Sequence, residues 1–401
     1  MIDRIKQYNL CLGCGLCSSL LGNDKCTMQL GKDGFYFPQL NGSLTKKESK
    51  LVKNTCPAVK VIGKPHKGKW GPIKSISQAW SADKEIRFKA ASGGVVTSLG
   101  ICLLEHKMVD AILQVGVCGD SYLYNELHIS RTKEDVEKNA QSRYAPALVF
   151  HKIKEIFDSE NSVFALIGKP CDMAAMQNFI REYPQYKERV KYYISIFCAG
   201  MPSYNATIEA WKISNRKDEP VSLKYRGDGW PGNFMATFSD GSNFKLSYNE
   251  SWGKILGRQI GFRCKVCPDG IGMLADISVG DSWNTKNGYP DFIEDEGRCF
   301  CMVRTERGAQ LLETAFKNQY ITCKTLDISK VEEQQPYQLE RRRIEGWRVL
   351  AVQLYTCGIF NFRGLSIWNQ MLSSNIIKGA KNMIGTFLRI HKMHGKQYTN
   401  C

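Results

Sequence analysis

The stretch that most constrains this chain is residues 263–283, Arg-Cys-Lys-Val-Cys-Pro-Asp-Gly-Ile-Gly-Met-Leu-Ala-Asp-Ile-Ser-Val-Gly-Asp-Ser-Trp. It opens on a Cys-x-x-Cys pair, Cys264 and Cys267, and runs through small residues into a short apolar strand over 275–280. Two thiolates three positions apart can face one metal centre, so this spacing recurs in zinc and iron–sulfur sites. A pair supplies half of a four-ligand site. The fold must therefore bring two further cysteines to it from elsewhere.

The chain has 16 cysteines. Its N-terminus intersperses polar and charged residues among the apolar ones, which is no secretory signal, and no apolar run approaches the ~18 residues of a spanning helix. Both observations point to the cytoplasm, where so many cysteines read as metal or redox chemistry rather than a disulfide framework. A net charge of +16 raises the question of nucleic acid. No helix-turn-helix, finger or RNA-binding signature accompanies it, so nucleic acid is not an expected partner.

Residues 1–62 read as a small unit of their own. Cys11, Cys14 and Cys17 follow C-x2-C-x2-C, and Cys56-Pro57 comes after a long gap. Three closely spaced cysteines can wrap one iron–sulfur cube, which a distant Cys-Pro closes. Cys26 competes for the fourth place, and Cys56 is preferred for its following proline. Residues 47–54 read as a helix that delivers Cys56. Residues 63–75, with repeated Gly, Pro and Lys, read as a linker.

From residue 76 to 335, helices and strands alternate, the pattern of an α/β (α+β) domain. Ala91-Ser92-Gly93-Gly94 opens a helix to about residue 107, and the strand 111–117 follows. A Ser-Gly-Gly turn at a helix start exposes backbone N–H groups that suit the phosphates of a nucleotide cofactor. The strands 162–167 and 191–197 end just before Cys171 and Cys198. In open α/β sheets, ligand sites collect at those carboxyl ends. The two cysteines are thus the expected partners of Cys264 and Cys267. Gly227-Asp-Gly-Trp-Pro-Gly232 matches G-x-G-x-x-G, but Pro231 and the strand pattern after it deny the helix that motif needs. Cys102 and Cys118 read as packing residues. Cys299 and Cys301 are expected on opposite faces of one strand, outside the site. Residues 336–401 read as a helical basic tail. Trp368, Met371, Leu372, Ile376, Met383, Phe387 and Leu388 form its expected apolar stripe, with Lys378, Lys381, Arg389 and Lys392 beside it. Such a stripe suits either packing on the protein itself or peripheral contact with an anionic inner membrane face.

With these residues in hand, the chain resembles the coenzyme F420 hydrogenase/dehydrogenase beta-subunit family of iron–sulfur flavoproteins. The resemblance covers roughly residues 1–312. It rests on the N-terminal cysteines, Ala91-Ser-Gly-Gly-x-x-Thr97, Pro170-Cys171, Phe197-Cys198, and Cys264-x-x-Cys267 leading to Ala275-Asp276-Ile277. It implies FAD, held at Ser92, Gly93, Gly94 and Thr97, with Ser142-Arg143-Tyr144 a further candidate. It also implies a 4Fe–4S cluster on Cys171, Cys198, Cys264 and Cys267, and a ferredoxin-like N-terminal domain with a second 4Fe–4S cluster on Cys11, Cys14, Cys17 and Cys56.

The implied function is an oxidoreductase. Electrons from a ferredoxin-like donor or partner redox subunit would reach FAD and then a two-electron acceptor, either F420 or an organic substrate. Bacterial relatives often accompany surface-polysaccharide genes. The rival reading is a non-catalytic electron-transfer subunit of a larger complex. No proton donor is legible. Asp276 and Asp281 read as turn and loop hydrogen-bonders.

Overall fold

The computed structural model describes residues 1–394. Its centre is a mixed sheet built from β1 (Ser75–Ser81), β2 (Ala111–Val117), β3 (Asn125–Ser130), β4 (Phe164–Gly168), β5 (Val190–Ile196), β6 (Ile277–Asp281), β7 (Cys299–Val303) and β8 (Ile321–Thr325). The order across the sheet is β8-β1-β7-β6-β5-β4-β2-β3. The inner strands β2, β4, β5 and β6 run parallel to their neighbours in that group, and the outer pairings are antiparallel. The inner strands read as near-continuous apolar runs, as parallel strands covered on both faces must.

Helix α1 (Val95–Glu105) covers one face of the sheet, with Leu99, Ile101 and Leu103 packed on Ile112, Ile194 and Ile277. Helix α2 (Pro170–Glu182) covers the other, with Met173, Met176 and Phe179 packed on Leu166 and Phe164. A three-stranded antiparallel sheet, Ser222–Lys224, Phe234–Thr237 and Asn243–Leu246, packs against α3 (Tyr204–Lys212). A strand therefore follows the glycine-rich loop at 227–232, as the proline there required.

Cys299 and Cys301 correct one expectation. Side chains two residues apart on a strand share a face, and these two thiols lie in one core cluster close enough to hydrogen-bond. Cys323 on β8 packs against the same cluster. All three fill the core beneath α1, together with Cys102 of that helix.

In the N-terminal segment, helix Lys46–Thr55 is closed by a Thr45/Glu48 capping box and delivers Cys56 at its C-terminal cap. Strands Cys26–Leu30 and Tyr36–Leu40 form a hairpin whose turn docks on the start of α3: the Tyr204 N–H donates to Gly34 O at 3.0 Å. The C-terminal region closes over this segment. In α4 (Pro336–Tyr355), Val349 and Val352 share a core with Ile5, Leu10 and Val59, joined by Phe360 and by Ile390 of α5 (Ile376–His394). Strand Asn361–Arg363 pairs parallel with Lys60–Ile62, sealing the contact with backbone hydrogen bonds.

The two ends of the chain thus stabilise each other through one apolar cluster. Phe360 is nearly buried and stacks on Phe362 with centroids 4.4 Å apart. Phe360→Ala is expected to cost about 3–5 kcal/mol by the usual burden of a large buried aromatic. A urea midpoint shift of that size should come with faster proteolysis within residues 1–62.

Candidate functional site

The carboxyl ends of β4, β5 and β6 open into a cleft of about 270 Å³. This is the place where parallel α/β sheets bind ligands, because the loops diverge there. One wall is the turn into α1, which presents Ser92, Gly94 and Thr97. Gly93 and Gly94 have φ of +66° and +77°, the left-handed region that side chains other than glycine resist. A Cβ on Gly94 would meet the Ile86 side chain at 2.9 Å and Ser81 Cβ at 3.1 Å. One on Gly93 would meet the Arg298 backbone at 2.8 Å. The glycines are therefore required by the turn and by packing behind it, and a substitution there distorts the fold before it tests any ligand.

The opposite wall carries Arg226, Tyr144, Tyr248 and Trp252. The buried Arg226 makes a two-pronged ion pair with Asp281, at 2.9 and 3.0 Å, and Trp230 Nε1 donates to the same carboxylate at 3.1 Å. Tyr248 and Trp283 lie against the guanidinium at 4.9 and 5.2 Å. Asp281 thus anchors a cation at the cleft. Asp276 is a fold anchor, accepting from the Tyr193 N–H at 2.9 Å and from Thr305 Oγ1 at 2.5 Å. The region after residue 330 supplies Gln335, Tyr337 and Gln338 to the rim, and Gln335 Nε2 donates to Asp281 O at 2.8 Å.

Cys198 lines the cleft, and Cys171, Cys264 and Cys267 stand near it. Cys171 sits in the first turn of α2, whose first residue is Pro170, and Cys198 follows β5. Burial is the main cause that raises the Cys198 thiol to about 12, and Cys264 and Cys267 add to it. Cys171 is raised by burial and by Asp172, with Cys198 and Cys267 also contributing. The four thiols therefore sense one another. Lys169 donates from Nζ to Asp172 at 2.9 Å. Burial works against its charge, but Asp172, Cys171 and Cys198 hold its pKa above the usual value.

Cys264 lies in a single helical turn, Phe262–Lys265, that gives way to an irregular loop carrying Cys267, and arginines take up the carbonyl groups along both. Arg341 donates to Cys264 O at 2.6 Å, Arg348 to Lys265 O at 3.2 Å and Arg263 to Val266 O at 3.4 Å. Arg342 reaches Pro268 O at 3.4 Å and Arg304 reaches Ile271 O at 2.7 Å. Arg341 also holds Cys198 O at 2.9 Å, tying two cysteine segments together.

The N-terminal cysteines form a second group. Burial raises Cys11, Cys14 and Cys56 to about 12, with further increments from Cys14 and Cys26 on Cys11, from Cys56 on Cys14, and from Cys11 on Cys56. Cys17 hydrogen-bonds with Cys26. Both Cys26 and Cys56 thus stand beside the trio, and the choice between them stays open. The two groups adjoin. Cys14 feels Asp172 and Lys169, next to Cys171. Arg263 donates to Ala58 O at 2.6 Å and Pro57 O at 3.2 Å, joining the Cys56 turn to the Cys264 loop. A cavity of about 230 Å³ is lined by both Cys11 and Cys264.

Among the described residues, no three His, Cys, Asp or Glu side chains converge on one point as a single metal ion requires. Tetrahedral zinc needs four ligands within ~2.3 Å of one ion. In an iron–sulfur cube each thiolate binds a different iron.

Comparison with known proteins assigns the family. Two family profiles match, the beta subunit N-terminal region of coenzyme F420 hydrogenase/dehydrogenase over residues 76–154 and its C-terminal region over 162–329. The chain belongs to this family. It is 27% identical over 61% of its length to the beta subunit of F420-dependent formate dehydrogenase 1 from Methanococcus maripaludis, and the match spans 60% of that relative. It is 24% identical to the coenzyme F420 hydrogenase beta subunit of Methanococcus voltae, over 67% of this chain and 88% of the relative. Among solved structures, a chain of the F420-reducing nickel–iron hydrogenase complex from Methanosarcina barkeri shares the fold. Its TM-score is 0.54 at 22% identity, covering 71% of this chain and 96% of that one.

The loop from Arg226 to Gly232 is one the sequence offers as facing a ligand, and Arg226 does line the cleft, but sequence reasoning missed Lys169, Arg263 and Arg341. None stands in a recognisable motif, and a basic side chain on a surface reads the same as one on a buried carbonyl. The Arg226–Asp281 pair gives a direct check. Asp281→Asn leaves a buried guanidinium without its counter-charge, which costs about 3–5 kcal/mol. The double variant Arg226→Met/Asp281→Leu should recover much of that loss in urea unfolding.

Proposed function

We propose that this chain is an iron–sulfur flavoprotein oxidoreductase that relays electrons between a one-electron donor and a two-electron acceptor. The observation that carries the reading is the adjacency of two groups of partly buried thiols, with Cys198 of the central group lining the cleft that the α1 glycine turn opens. Cys171, Cys198, Cys264 and Cys267 would hold one 4Fe–4S cluster. Cys11, Cys14 and Cys17, with Cys56 or Cys26, would hold the other. FAD would lie in the cleft, its phosphates at the turn of Ser92, Gly93, Gly94 and Thr97. Such clusters exchange single electrons and a flavin one or two, so a chain that holds both adapts one to the other.

The chain's own residues support that role. Five guanidinium groups gather about the Cys264 loop, and Arg342 among them is paired with the buried Glu345. Thiolate ligands would offset the positive charge that remains. Arg226, held by Asp281, places a fixed cation at the cleft, where an anionic cofactor or acceptor would gain from it. The donor would be a ferredoxin-like protein or a partner redox subunit. The acceptor would be F420, as the relatives' names suggest, or an organic substrate in surface-polysaccharide synthesis.

A second reading, a non-catalytic electron-transfer subunit, draws support from relatives that are named as subunits of larger enzymes. Among the described residues no helix is long and apolar enough to cross a membrane. We place the protein in the cytoplasm on its cysteine content.

Anaerobic purification tests the proposal. About eight irons per chain are expected from two four-iron clusters, together with one flavin. Cys11→Ser and Cys198→Ser should each remove about four irons. Zinc in place of iron would overturn the reading, as would an iron content that ignores both substitutions. Loss of the N-terminal cluster's EPR signal in Cys26→Ser or in Cys56→Ser identifies the fourth ligand.

A further inference from the structure

Helix α5 has three distinct faces. Its packed face uses small and polar residues. A Cβ on Gly379 would meet the Trp347 ring at 2.3 Å, Asn382 Oδ1 accepts from Arg348 at 2.8 and 3.1 Å, and Ile390 is fully buried. The expected stripe is therefore only partly right. Met371 and Met383 are half-buried, while the other members of the stripe lie open and are joined by Ile377 and Ile384. Ile376 is 71% exposed, Ile377 70%, Ile384 56%, Phe387 41% and Leu388 61%. At 100° per residue these five fall within about a third of the helix circumference. Just upstream, Leu372 is also exposed, at 79%.

The third face is basic. Lys381 and Lys392 flank the open apolar arc, with Arg389 further round, all exposed. None of the three has a carboxylate partner among the described residues, whereas Lys378 pairs with Glu340 at 2.7 Å. Ile376–His394 contains no Asp or Glu at all. A continuous exposed apolar stripe marks an interaction site. A second copy of the chain would bring the same uncompensated cations against these, on a protein already carrying +16. A bilayer of acidic lipids accepts both features, the apolar side chains among the acyl chains and the ammonium groups among the headgroup phosphates.

We infer that α5 docks this protein on an anionic membrane surface, lying in the interface without crossing it. Arg389 and Met393 also line the cavity beside Cys11, so the docked helix holds the N-terminal thiol group close to the bilayer.

The test is co-sedimentation of the full-length protein, with its cofactors as purified, with vesicles of phosphatidylglycerol and phosphatidylcholine and with vesicles of phosphatidylcholine alone. Binding to the acidic vesicles is expected, weakened by raised salt and by removal of the acidic lipid. Ile384→Ser/Leu388→Ser should lower the partition coefficient about tenfold or more, by loss of buried apolar area. Lys381→Glu/Lys392→Glu should do the same through charge. All four side chains are exposed, so thermal melting of both variants should match the parent. Failure to sediment with either vesicle overturns the inference, and so does unchanged binding by both variants. Concentration-dependent dimerisation without lipid, abolished by Ile384→Ser/Leu388→Ser, would overturn it in favour of a second copy.

Discussion

The structure depends on how buried, irregular backbone around the cysteines is satisfied. A loop inside a protein must find partners for its carbonyl groups, or each one costs about as much as a lost hydrogen bond. Along residues 264–271, guanidinium groups take that place: Arg341, Arg348, Arg263, Arg342 and Arg304 reach five different carbonyls. Asp269 adds acceptors for the Ile271 and Met273 N–H groups, at 3.1 and 2.9 Å. The result is a loop held from all sides, with its thiols fixed in place.

Three of those arginines, Arg341, Arg342 and Arg348, belong to α4. The C-terminal region therefore completes the site as well as the fold. It also supplies Gln335 and Gln338 at the rim, where Gln338 Nε2 donates to Cys198 O at 3.2 Å. Neither family profile extends beyond residue 329. The part of the chain that carries this support thus lies outside the shared family core, and so does α5 with its open apolar face.

The cleft shows how one charge can serve fold and site together. Arg226 is buried and held by Asp281 and two aromatic rings, and Trp230 donates to the same Asp281 carboxylate, so the guanidinium is fixed in place. The turn into α1 contrasts with it. There the backbone conformation comes first, and Gly93 and Gly94 are needed because their neighbours leave no room for a Cβ.

What the sequence determined by itself was local. Cysteine spacing, strand-end position and the 3.6- and 2-residue periodicities are short-range properties of the chain. They made the α/β core, the helix that delivers Cys56 and the position of Cys171 and Cys198 past the ends of two strands legible in advance. Tertiary structure alone decided whatever depends on contacts between distant segments. Arg263 and Arg341 became buried carbonyl partners, both ends of the chain closed on one apolar cluster, and Cys26 came as near the N-terminal trio as Cys56. The faces of α5 belong here too: periodicity marks an apolar stripe, but packing on Trp347, Arg348 and the N-terminal cluster determines which part of the helix turns inward. Charge and hydrophobicity along a sequence do not specify a partner, because the partner is chosen by the folding of the rest of the chain.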